Sequence, residues 1–105
     1  MKSVGIIGGL GPETTTEFYL DVVFSCFKID NTVRPSIVIA SVHLPYQIEE
    51  DLIMRNEGAE RYIPFLIHEA QRLEKAGVNF IVMPCNSLHI FIDQIRDSVR
   101  IPVLS

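Results

Sequence analysis

Apolar residues follow two rhythms along the chain. Short runs in which nearly every position is apolar (SVGIIGG, SIVIASV, VNFIVMP) alternate with longer stretches whose apolar positions recur every three or four residues. The first rhythm fits strands buried on both faces, the second amphipathic helices. PETTTEFYLDVVFSCF predicts a helix with Pro12 in its first turn and Glu13 at the positive end of its dipole. Thr15, Phe18, Tyr19, Val22 and Cys26 form its stripe. AERYIPFLIHEAQRLEKAG predicts a second, striped by Ile63, Leu66, Ile67, Ala70 and Leu73 and closed by Gly77. Pro64 suits that helix only within its first turn. NSLHIFIDQIRDSV predicts a third, with Leu88, Phe91, Ile92, Ile95 and Val99 on one side. HLPYQIEEDLIMRNEG, broken by Pro45 and Gly58, reads as a loop with a short helix, and IPVLS as the opening of a fourth strand.

The order β-α-β-α-β-α-β predicts an α/β fold: three layers, α-β-α, around a four-stranded parallel sheet. Residues 1–105 read as a single domain, without repeats or linkers. The sequence stops in or just after a strand, so residue 105 reads as a truncation point. At 48% hydrophobic and 21% charged residues the composition is that of an ordinary globular protein. The net charge is −4 and Lys and Arg are scattered, which argues against a nucleic-acid partner. No run reaches the ~18 apolar residues of a membrane span, and the N-terminus lacks the apolar core of a signal peptide. The two cysteines, Cys26 and Cys85, have neither disulfide-framework nor metal-ligand spacing. That fits a reducing cytoplasmic setting and no metal.

Ligands of open parallel sheets bind beyond the carboxyl ends of the strands. GGLGPETTT, SVHLPYQ and PCNSLH all arrive at that rim. Gly8, Gly9 and Gly11 allow a tight turn with open amides, a helix N-terminus follows, and Thr14, Thr15 and Thr16 add hydroxyls. No lysine completes a Walker loop and the spacing is not G-x-G-x-x-G, so a small carboxylate fits better than a nucleotide. The plain alternative is a strand-to-helix turn without a ligand. Cys85 ends a strand and precedes a helix, where the dipole favours a thiolate. The alternative is a buried core thiol. Asn86 and Ser87 are capping residues that can also serve a ligand, and His89 shares a face with Cys85 if the helix has already begun. Cys26, on a helix stripe, reads as core. His43 reaches the same rim, His68 faces solvent, and Glu49, Glu50 and Asp51 form a solvated acidic face.

IIGGLGPETT together with IVMPCNSLH, continued by IRDSVRIPVLS, resembles the aspartate/glutamate racemase family over essentially the whole chain. The resemblance implies the Rossmann-like or flavodoxin-like N-terminal half of a two-domain racemase fold, with the active site between the halves. It implies a cofactor-independent amino-acid racemase of aspartate or glutamate type, working as a homodimer on a small amino-acid substrate. Two cysteines would flank Cα, and Cys85 is the first. Asn86 and Ser87 would bind the α-carboxylate, Ser87 standing where threonine is more usual. Gly9, Gly11 and Thr15 would line the pocket, and His89 belongs to the same motif. After the proline of HLP the family often has Asp-Arg for the distal carboxylate. Here stand Tyr46 and Gln47, with Arg55 as a possible substitute. The motif carrying the second cysteine is absent. A non-catalytic carboxylate-binding module and a single-cysteine enzyme of the same fold are the competing readings.

Overall fold

A computed structural model describes residues 2–104; Ser105, the last residue of the expected fourth strand, lies outside them. Strand β1 (Ser3–Gly8) leads to α1 (Pro12–Ile29) and β2 (Ser36–Ser41). Helix α2 (Tyr46–Arg55) and a 3-10 turn (Ala59–Tyr62) precede α3 (Ile63–Lys75) and β3 (Phe80–Val82). A second 3-10 segment (Asn86–Phe91), α4 (Ile92–Asp97) and β4 (Val103–Leu104) follow. The strands form one parallel sheet in the order β2-β1-β3-β4. The expected α/β architecture is therefore present.

The strand order reverses direction once, after β2. Right-handed crossovers then place α1 on one face and α3 and α4 on the other. Two glycines mark both faces by close approach. A Cβ on Gly5 would come within 2.9 Å of Val78 and 3.2 Å of Leu73, whereas one on Gly8 would come within 2.6 Å of Thr15. The main core fills the α3/α4 side, where Ile7, Leu66, Ala70, Leu73, Ile81 and Ile95 are buried. Pro64 falls in the first turn of α3, and Gly77 follows that helix at φ +89°, in the left-handed region. His68 is exposed as expected. Glu69 is buried to 1% exposure, paired with Arg72 at 2.6 Å; it stands three residues after Leu66 and four before Leu73, alongside the apolar stripe.

The opposite layer departs from expectation. Thr15 is the buried residue of α1. Phe18, Val22 and Cys26 are only half-buried and Tyr19 is exposed. An apolar slot of about 280 Å³ separates Phe18, Val22 and Cys26 from Val4, Phe80 and Val82. Among the described residues α1 is the one helix on its face, and a single stripe does not cover four strands. Cys26 is thus not a core thiol. The far side of α1 is apolar too, with Leu20, Phe24 and Phe27 at 43%, 61% and 63% exposure. No helix among the described residues is long and apolar enough to cross a membrane.

Candidate active site

Register brings the three expected loops to one rim. Gly8 pairs with Ser41, and Ile6 with Val82, so the ends of β1, β2 and β3 are nearly level. β1 lies between the other two, which puts its glycine turn in the middle of the rim. His43 and Cys85 emerge to either side.

The turn is built around Thr15. Gly9 sits at φ +91°, a conformation glycine adopts freely. Its N–H donates to Thr15 Oγ1 at 2.9 Å, and that hydroxyl faces the Gly11 carbonyl at 3.5 Å. The Thr16 hydroxyl donates to the Pro12 carbonyl at 2.9 Å. So Thr15 and Thr16 are engaged within the loop rather than held out as free donors, and the Gly9 amide is occupied. Gly11 is the residue before the first turn of α1. Thr14 is the threonine that faces a cavity.

Cys85 leaves β3 through Met83 and Pro84 and immediately precedes the 3-10 segment. Six residues of 3-10 helix stand where an α-helix was expected, and this changes which side chains share a face. In a 3-10 helix residues i and i+3 eclipse. Asn86 and His89 accordingly line the same cleft, and Cys85 is not among its walls. His89 Nε2 is held 2.7 Å from the Met83 carbonyl. The Cys85 thiol, half-buried, lies instead 3.4 Å from Ser87 Oγ. The expected Cys85–His89 face is therefore replaced by a Cys85–Ser87 pair.

Two hollows open on the rim. One, of about 350 Å³, lies between α1 and the ends of β3 and β4, and includes Thr14, Glu17, Asp21, Asn86, His89 and Leu104. The other, of about 690 Å³, lies beside the glycine turn, with Gly9, Leu10, His43, Leu44, Glu49 and Phe65 in its wall. Cys85, Leu10 and Leu44 each pack, partly buried, against the main core, but Cys85 is in the wall of neither hollow.

One residue enters that the sequence did not single out. Tyr62 is buried at the foot of α3. Burial first, then the negative charges of Glu49 and of a Cys85 thiolate, push its phenol above the ordinary range, against the opposing pull of Arg61. Glu49 and Cys85 therefore bear on one point. Tyr62 stands four residues before Leu66, on the side of the α3 stripe, and joins the same core cluster.

The acidic run is also not a plain solvated face. Asp51 is 17% exposed. Its carboxylate accepts from Arg55 at 2.6 Å, Gln47 at 2.7 Å and Arg61 at 2.9 Å. The hydrogen bonds from Arg61 and Gln47 hold its pKa below the ordinary 3.8. Among the described residues no three His, Cys, Asp or Glu side chains are grouped to hold a metal.

Comparison with known proteins matches this arrangement. The family model for Asp/Glu/hydantoin racemases matches residues 7–105. The chain is 29% identical over 105 residues to the broad specificity amino-acid racemase RacX of Bacillus subtilis (strain 168), covering 96% of this chain and 44% of that one. An aspartate racemase homologue from Pyrococcus horikoshii OT3 superposes with a TM-score of 0.78 at 29% identity, over 100% of this chain and 45% of its own. The Picrophilus torridus aspartate racemase shares the fold, with a TM-score of 0.72 at 24% identity, over 100% and 43%. The chain spans less than half the length of these relatives. With its glycine turn and Cys85 loop meeting on one rim and 99 of its 105 residues inside the family model, 7 to 105 inclusive, this chain belongs to the Asp/Glu/hydantoin racemase family.

Proposed function

We propose that the chain is the N-terminal half of a cofactor-independent amino-acid racemase, with Cys85 as one of two thiol acid/bases. The observation that carries this reading is the position of Cys85. It sits at the carboxyl rim of a parallel sheet, with Ser87 Oγ at 3.4 Å and the glycine turn alongside. The Cα proton of an amino acid is weakly acidic. Its removal needs a close base and donors for the charge that develops on the carboxylate. In the proposed step the Cys85 thiolate takes the Cα proton. The C–H electron pair stays on the substrate, delocalised into the carboxylate. A second thiol then gives a proton to the opposite face.

Ser87, beside Cys85, is proposed to receive the α-carboxylate together with first-turn amides of α1 behind Gly11; for Asn86, which lines the neighbouring cleft, to join them its side chain would have to turn towards Cys85. Thr15 and Gly9 shape this site by holding the turn. His89, anchored on the Met83 carbonyl, positions the loop. Cys26 does not fit the role of second base. It lies 14 residues beyond Pro12 on α1, about 21 Å along the helix from the rim. The second thiol is therefore assigned to a second half of the kind that makes the relatives longer. Both cysteines are free, which suits a cytoplasmic enzyme.

The test is deuterium incorporation at Cα of added amino acids in D2O, followed by proton NMR, for the wild type beside Cys85→Ala. Cys85-dependent exchange is expected. Exchange that persists in Cys85→Ala rules out the assignment. Absence of exchange from a folded, amino-acid-binding sample supports the competing reading of a non-catalytic carboxylate-binding module.

A further inference from the structure

The hollow beside the glycine turn contains no lysine or arginine in its wall, and its one carboxylate is Glu49. The rest is largely apolar, including Leu10, Val42, Leu44 and Phe65. Arg55 and Arg61, the cations that flank α2, are both held on Asp51, Arg55 through Oδ1 and Arg61 through Oδ2. Gln47 donates to the same carboxylate. Asp51 thus gathers in the cations that would otherwise meet an acidic side chain. Glu49 makes no ion pair among the described residues. It stands on the first turn of α2, half-buried. The hollow opens on the same carboxyl rim as the Cys85 loop, beside the glycine turn that lies between the ends of β2 and β3.

We propose that this hollow receives an amino acid with a basic side chain, whose cationic end pairs with Glu49, and that it rejects aspartate and glutamate. This rests on the reading of Cys85 as the base at Cα. A second carboxylate in the hollow would face Glu49 across apolar walls, where little solvent screens the repulsion. An ammonium or guanidinium would meet an unpaired acceptor there, in the charge-assisted geometry that both groups favour.

The experiment is calorimetric titration of the 105-residue chain at pH 8. Each enantiomer of lysine, arginine, aspartate and glutamate is tested. Lysine or arginine is expected to bind at least tenfold more tightly than aspartate or glutamate. Glu49→Gln should abolish that preference and Glu49→Asp should retain part of it. Asp51→Asn, which releases Arg55 and Arg61, should improve aspartate binding. Equal or tighter binding of aspartate by the wild type overturns the proposal, as does lysine binding indifferent to Glu49→Gln. So does failure of every amino acid to bind a chain whose amide spectrum is dispersed. Deuterium exchange at Cα separates this inference from the one beneath it. Glu49-dependent lysine binding without Cys85-dependent exchange keeps the pocket assignment and removes the racemase. Cys85-dependent exchange on aspartate but not lysine does the reverse.

Discussion

Thr15 holds the glycine turn to its own helix. Its hydroxyl accepts the Gly9 N–H, its side chain fills the space a Gly8 side chain would need, and it is 8% exposed. Thr15→Val keeps the shape and removes the acceptor, leaving a half-buried N–H without its partner. The expected loss is about 1–3 kcal/mol. Thr15→Ser keeps the oxygen and should lose less. Urea denaturation of the two variants distinguishes them, and equal losses would show that the hydroxyl is not what matters. A threonine at that position is visible in the sequence; its inward direction is not, because three consecutive threonines offer the same hydroxyl and only the turn decides which one points in.

Helix α2 is organised by Asp51. Gln47 and Arg55 lie one turn before and one turn after it, and Arg61 returns across the left-handed Asn56 and Gly58. Because the pKa of Asp51 is lowered, the stability it contributes is present above the unfolded value of 3.8 and is lost as pH falls through the folded one. A carbon-13 titration of the Asp51 carboxyl should therefore show a midpoint below 3.8, raised by Arg61→Ala. A midpoint unmoved by that substitution would mean the bond does not form in solution. Strands and the long helices were legible because burial on two faces, or on one stripe, writes directly into apolar spacing. The Asp51 cluster was legible only in part: Gln47 and Arg55 stand four residues either side of it, but Arg61 meets it only after the chain has turned back. The 3-10 start of residues 86–91 was hidden. Its Leu88–Phe91 spacing of three satisfies a 3-10 helix as well as an α-helix, and only the hydrogen bonding tells them apart.

At the scale of the whole molecule, α1 presents apolar side chains both to the sheet and to solvent. A helix apolar on both sides is normally covered on both. Its acidic residues, Glu13, Glu17 and Asp21, lie within its first ten positions and Lys28 near its end. Two such helices, if packed antiparallel, would bring unlike charges together, and the expected association is a pairing of two copies through Leu20, Phe24 and Phe27. Sedimentation should show concentration-dependent association, and Phe24→Glu should yield a monomer that stays folded. A wild type that remains monomeric at high concentration contradicts this pairing. The slot beneath α1 has its own consequence. Cys26 stands in its wall, distant from the rim where Cys85 works. A polarity-sensitive fluorophore attached there, in a Cys85→Ala background, becomes a gauge of the thickness of the α1 layer. Its emission moves to the blue when the helix settles onto the strands and to the red when the helix lifts, so the protein carries a natural attachment point for following that layer in real time.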